Sequence, residues 1–373
     1  MLLFFVIAAL ATPTGVGGGL LFTPLLQIIL SYTPKLAVAL SQVLITGASI
    51  GSLFYQTVWQ LSHKDKPLNV QTKYIWFILP GILAGAVAGV LLARISPPLI
   101  QLILLVLLCG YAAFNIFSRA LISYRKENED YTETETLHQS EDIPPTVFGK
   151  ATSQSDISPN TEQSTPRLKN SDTLSCIGFI ACIFSFYVLM ILLRGSKSMP
   201  SIAGVEYCGS SYWALYLIPF VLFVAISLAM APNEKRIIAT VIAAGTLATM
   251  SGISGGIVLT PILLGRGLTP QQSSATSIVI VAVISTASTF DFLTGGHLPY
   301  EYAAYSSFTF IGSLLGMTVV AAIIEKSGRQ SFLLFILGTL VALGCALTST
   351  LGVYHLINDL NRRVDPFSMQ PVC

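Results

Sequence analysis

Glycine is a costly residue inside a helix, yet this chain twice sets at least three of them within five positions of an apolar run. The first stretch, ATPTGVGGGLLFTPLL from Ala11 to Leu26, carries Gly15, Gly17, Gly18 and Gly19. The second, ATMSGISGGIVLTPIL from Ala248 to Leu263, carries Gly252, Gly255 and Gly256. Glycines so placed interrupt a helix, and the half-helix that restarts after them begins with N–H groups that have no acceptor in their own turn. Those donors lie at the positive end of the half-helix dipole, which suits them to bind an anion. Thr14, Thr23, Ser251, Ser254 and Thr260 stand close enough in sequence to add hydroxyl donors. No Lys or Arg occupies the middle of an apolar run, so an anion here would be held by N–H and O–H groups rather than by full charges.

The two stretches are copies. Shifted by 237 positions, half of their 16 residues are identical, including both Thr-Pro pairs, Thr23-Pro24 and Thr260-Pro261. After a one-residue slip, TPKLAVALS from Thr33 lies over TPQQSSATS from Thr269, which pairs Ser41 with Ser277. Gln42 follows Ser41 inside an apolar run and joins the candidate polar residues. Further on, Gly81, Gly85 and Gly89 find counterparts in Gly312 and Gly316; spaced by four, these read most simply as helix contacts. A repeated unit with a glycine-broken helix at matching positions is the pattern by which a secondary transporter's binding site is located from sequence. The candidate substrate-binding set is Gly15, Gly17, Gly18, Gly19, Thr23, Ser41, Gln42, Ser251, Gly252, Ser254, Gly255, Gly256, Thr260 and Ser277.

The elements that must position these residues follow from composition. Of 373 residues, 53% are hydrophobic and 10% charged, and mean hydropathy is +0.72, well outside the range of a soluble domain. The reading is an all-α polytopic membrane protein: two repeats of about four transmembrane helices, each with a broken first helix, in about 8–10 membrane segments. Full spans are predicted near 36–60, 74–93, 99–122, 174–193, 213–231, 273–293, 302–324 and 332–353, with interrupted segments over 2–30 and 237–264. The domains expected are a first repeat over 1–122, a linker over 123–173, a connecting helix pair over 174–231, a second repeat over 232–354 and a tail over 355–373. The linker holds ten of the 18 carboxylates and almost no apolar periodicity, so it is expected to be disordered and cytosolic. If all ten segments cross, 13 of the 20 Lys and Arg share the linker's side. If the two broken segments enter and leave on one face, 14 do, and the C-terminus moves to the other side. The net charge of +2 gives no argument for nucleic acid, and the six cysteines lack metal-ligand or disulfide-framework spacing. The N-terminal LLFFVIAALA has a signal-peptide flavour, but no basic residue precedes it and its match to the second copy makes it the first arm of a broken helix.

GVGGGLLFTPLL and SGISGGIVLTPILL, each followed by a TP…A..S pattern, resemble the two signature motifs of the TauE/SafE sulfite exporter family. The resemblance covers both membrane halves, and VEYCGSSYWALYLIPF from Val205 is similar to a segment of the plant-like members. It implies transport of sulfite, thiosulfate or related organosulfur anions. The lipid bilayer and a coupling proton are the further partners expected from the residues, and no cofactor is expected. Asp291, near the end of its span, is the candidate coupling carboxylate, and Arg266 is placed to draw anions to a mouth. Two rival readings stay open. GISG, Gly252 to Gly255, fits the GxSG signature of rhomboid proteases, which would make Ser254 a nucleophile needing His297 or His355 as base. A receptor or scaffold that keeps the fold without transport is the other.

Overall fold

In hydrocarbon a segment must satisfy its own backbone, so apolar runs of about 20 residues become helices. A computed structural model describes residues 2–14, 18–62, 70–139, 170–196, 199–268, 270–296, 298, 300–327 and, beyond them, 335, 338–339, 341–347, 349–350, 352–353 and 357. Among these residues there is no strand. The helices are α1 (Leu2–Ala11), α2 (Gly19–Ile29), α3 (Pro34–Ser62), α4 (Thr72–Ile95), α5 (Pro98–Gln139), α6 (Asn170–Arg194), α7 (Ser210–Met230), α8 (Lys235–Ser251), α9 (Gly256–Leu264), α10 (Pro270–Thr294) and α11 (Tyr305–Ser327). Six of them, α3, α4, α5, α6, α7 and α10, contain stretches long and apolar enough to cross a membrane. They coincide with the first six full spans expected. The seventh is α11, and the eighth falls partly outside the described residues.

The first part of the expected linker, 123–139, is helical. Helix α5 continues through Gln139, because Glu, Lys and Gln are good helix formers even where nothing apolar remains to bury. The rest, 140–169, lies outside the described residues. The cysteines also hold one departure from expectation: Cys208, just before α7, is disulfide-bonded, whereas Cys109, Cys176, Cys182 and Cys345 are free thiols. Spacing along the chain gives no hint of this bond.

Relative helix directions follow from which residues meet. A Cβ on Gly312 would lie 2.6 Å from Phe5 O and one on Gly316 would collide with Ala9 O, so α1 runs parallel to α11. Gly85 and Gly89 make the same approach to Ile242 O and Thr246 O, so α4 runs parallel to α8. Residues 5 and 242, like 9 and 246, are separated by the repeat offset of 237. The two glycine pairs are thus helix contacts made to equivalent carbonyls, Gly85 corresponding to Gly312 and Gly89 to Gly316. At these four places the absent side chain is what allows the backbones to touch.

Helix α3 runs parallel to α11, with Gly47 against Ser306 and Gly51 against Ser313. It runs antiparallel to α10, with Thr46 Oγ1 3.0 Å from Thr289 Oγ1 and Ser49 Oγ 3.4 Å from Ser285 Oγ. Helix α2 runs back along α3, Gly19 lying against Ile45 while Thr23 and Ser41 reach one acceptor. Helix α9 runs back along α10, with Gly255 near Ile284 and Thr260 near Ser273 and Ser277. Since α1 and α8 run with α3 and α10 respectively, each broken segment reverses direction. Both are re-entrant hairpins, α8–α9 starting from the face where α6 begins and α1–α2 from the opposite face. The choice between crossing and turning back therefore falls on turning back.

Candidate functional site

The hairpins meet at their tips. A Cβ on Gly19 would lie 2.5 Å from the backbone N of Ser254, so the start of α2 touches the turn that precedes α9. Gly18 caps α2 at φ +73° and Gly252 ends α8 at φ +69°, both in the left-handed region where glycine alone is unstrained. The carbonyl of Gly252, the residue that caps α8, would be an orphan in the protein interior. Two hydroxyls of the other hairpin region cap it: Thr23 Oγ1 donates at 2.8 Å and Ser41 Oγ at 2.7 Å. Each stands where the sequence repeats it, and both are fully buried.

On the second hairpin, Thr260 Oγ1 donates to Gly256 O at 2.6 Å and lies 3.4 Å from Ser277 Oγ. Ser254 Oγ accepts the Gly256 N–H at 3.3 Å, as a side chain just ahead of a helix does. Val258 and Leu259 return their N–H groups to Gly255 O. Among the described residues the N–H groups of Gly255 and Ile257 meet no protein acceptor. Residues 252 to 256 are all buried. The tip is therefore a buried turn with free donors at a helix N-terminus, the arrangement that accepts an anion. Ser251 is buried beside it with its hydroxyl unpartnered. Gln42 is buried one position past Ser41.

Of the candidate residues, Gly18, Gly19, Thr23, Ser41, Ser251, Gly252, Ser254, Gly255, Gly256, Thr260 and Ser277 gather in this region. Gly15 and Gly17 lie outside the described residues, as does the structure at His297 and His355. Ser254, the candidate nucleophile, is engaged as a cap on Gly256 rather than with a base. Arg266 is ion-paired with Glu234 at the surface, its Nη1 2.7 Å from Glu234 Oε1. That hydrogen bond holds the Glu234 carboxyl below its usual range.

Asp291 is fully buried and lies at the centre of a cluster that sequence inspection alone did not assemble. Arg94, at the end of α4, donates through Nη2 to its Oδ1 at 2.7 Å, and Arg194, at the end of α6, donates to the same oxygen at 2.8 Å. Tyr187 OH donates to Oδ2 at 3.3 Å. The Arg194 guanidinium lies 4.3 Å from the Tyr216 ring centre and 5.6 Å from that of Tyr212. A signal was present: each arginine ends an apolar run, and Asp291 is the only acid in its span. Only the re-entrant topology shows that all three helix ends share one face.

The sequence comparisons point one way. The family model described as sulfite exporter TauE/SafE matches residues 1–193 and again 171–347. Sulfite exporter TauE/SafE family protein 1 of Arabidopsis thaliana is 27% identical over 389 residues, covering 96% of this chain and 84% of that protein. Family protein 5 of the same plant is 25% identical over 384 residues, covering 96% and 83%. No solved structure matches. Nothing in these relationships points to a protease. With an all-helical, multi-pass membrane architecture and two family matches that together span nearly its whole length, the chain belongs to the sulfite exporter TauE/SafE family.

Proposed function

We propose that this chain is a secondary transporter, not an enzyme, for a small oxyanion of the sulfite and organosulfur class. The observation that carries the reading is the meeting of two oppositely inserted hairpins at Gly19 and Ser254, beside free N–H donors at the start of α9. The substrate class is suggested by the names of the relatives. Donors without a full charge hold an anion firmly enough to select it and loosely enough to release it. The residues that hold it in this reading are Gly18, Gly19, Ser251, Ser254, Gly255 and Gly256, with Thr23, Ser41, Thr260 and Ser277 setting the tips. The two repeats, 1–122 and 232–354, rock against one another around that site, exposing it to each face in turn.

The linker is assigned to the cytosol. With both broken segments re-entrant, 14 of the 20 Lys and Arg lie on its side. The Cys208 disulfide lies on the other side, ahead of α7, as suits an oxidising compartment. The test is flux into proteoliposomes of sulfite, sulfate, thiosulfate and a sulfonate, each with and without a proton gradient. Uptake of sulfite or another of the sulfur oxyanions above protein-free vesicles is the expected result; none for any of the four would sink the reading.

A further inference from the structure

The buried cluster at Asp291 carries two guanidiniums and one carboxylate. Both arginines use Nη2 on the same oxygen, Oδ1, and the other oxygen takes Tyr187. One positive charge is left over, in a place where Arg94 is 8% exposed and Arg194 4%. An uncompensated buried charge is expensive, and the Tyr216 ring under Arg194 offsets only part of it. The Nε donors of both arginines are buried and have no partner. Arg94 Nη2 also donates to the Asp291 carbonyl at 3.2 Å, so what each guanidinium keeps for an oxyanion is its Nε–H, a charged donor.

The cluster and the hairpin tip lie along one face of α10. On α10, Ile284, Ser288 and Asp291 are spaced by four and three, so they share one face of the helix. Ile284 lies against Gly255 at the tip of the second hairpin. Asp291 is seven residues further along, about 10 Å at the rise of an α-helix. Between them Ser288 is fully buried with an unpartnered hydroxyl. Thr249 and Ser251, at the end of α8, are likewise buried with free hydroxyls.

We propose that Arg94, Arg194 and Asp291 form a second anion-binding station, at which an oxyanion moving between the α9 tip and the face opposite the linker supplies the missing negative charge. This rests on the transport reading above. The carboxylate holds the two guanidiniums in place, and Ser288 passes the anion between tip and station.

The test separates an excess-charge station from a structural ion pair, because the two make opposite predictions. Arg94→Gln leaves Asp291 neutralised by Arg194: a station loses its excess charge, while an ion pair survives. Arg94→Gln combined with Asp291→Asn restores one net positive charge but destroys every ion pair. Sulfite KM in proteoliposomes should rise by at least about tenfold in Arg94→Gln, and return to within about threefold of wild type in the double variant. Arg94→Lys, which keeps the charge but not the guanidinium, should raise KM less than Arg94→Gln does. Size-exclusion profiles establish that each variant is folded; if the double variant is not, the contrast of Arg94→Lys with Arg94→Gln decides. Wild-type sulfite flux with an unchanged KM in Arg94→Gln overturns the station and leaves the transport reading intact. Failure of wild type to carry any of the four anions overturns both.

Discussion

The two hairpins carry the same sequence pattern and make equivalent backbone contacts, yet they differ in what their hydroxyls do. In the first, Thr12 donates to Ala8 O, and on the neighbouring α3 Ser52 donates to Ala48 O at 3.1 Å. At the positions related by the repeat offsets, Thr249 and Ser288 are just as buried but donate to nothing. Tyr55 stands where α10 has Asp291, so the charged cluster has no counterpart in the first half. A buried hydroxyl without a partner costs stability, and among the described residues the unpartnered ones, Thr249, Ser251 and Ser288, all belong to the second half. Among the described residues, the comparison sets partnered hydroxyls at Thr12 and Ser52 in the first half against unpartnered ones at Thr249 and Ser288 in the second.

The contact between the tips is where the comparison can be broken most completely. Gly19→Ala sets a Cβ against the Ser254 backbone nitrogen, which cannot swing away as a side chain could. The tips must separate, at a cost of about 1–3 kcal/mol or more. Sulfite flux should fall below detection while the protein still inserts, as judged by membrane fractionation. Gly255→Ala meets only the Cδ1 atoms of Ile82 at 3.3 Å and Ile284 at 3.8 Å, so folding should be unharmed. If Gly19→Ala transports like wild type, the facing tips are not the site.

Next in size is the cap on Gly252. Either Thr23→Val or Ser41→Ala alone leaves the other hydroxyl on the carbonyl, so each should be mild. Both together leave a buried acceptor bare, worth about 1–3 kcal/mol, read as a lower unfolding temperature in detergent. The equivalent pair, Thr260→Val with Ser277→Ala, should cost less, since Thr260 bonds within its own helix. Equal losses in the two double variants would mean that the cap is not specific to one hairpin.

Much of this was legible in the residues. Glycine spacing, the repeat offset and the Thr-Pro pairs locate both hairpins, and six of the expected spans agree with the helices. Whether a broken segment crosses or returns was not legible, because hydropathy measures depth and not direction. It needed the contacts of Phe5 with α11 and of Ile242 with α4, and the packing of the α9 tip against Ile284. The same limitation hid the charged cluster: Arg94 and Arg194 each look like an ordinary helix end at an interface. They become a site only when α4, α6 and α10 are known to end together. Composition likewise could not reveal that α5 outlasts its apolar part, because polar helix and polar coil share the same residue types.

The difference between the two halves is sharpened by a paired serine experiment. Ser52→Ala removes a made hydrogen bond and should lower stability by about 0.5–1.5 kcal/mol with little effect on flux. Ser288→Ala removes a hydroxyl that bonds nothing, so stability should be unchanged or improved. Sulfite flux should nonetheless drop, by about threefold to tenfold if one donor on the path is lost. The opposite pattern, with Ser288→Ala destabilised and Ser52→Ala slow, would reverse the roles given to the two halves.

The smallest effect belongs at the other face. Arg266 is paired with Glu234 near the mouth of the second hairpin, so its own guanidinium is engaged there, whereas the buried cluster on the opposite face has one positive charge in excess. The Glu234 carboxyl is held below its usual range by that bond, so whatever the pair contributes is present above the ordinary carboxylate range. It is lost as pH falls through the lowered value. Being exposed to solvent, the pair is screened and its contribution is small. Glu234→Gln releases Arg266, and if anion capture at that mouth limited flux, sulfite KM would fall. With the charged station on the opposite face, KM should stay within about twofold of wild type. A marked fall would place the controlling positive charge on the linker side, and with it reverse the asymmetry drawn between the two faces.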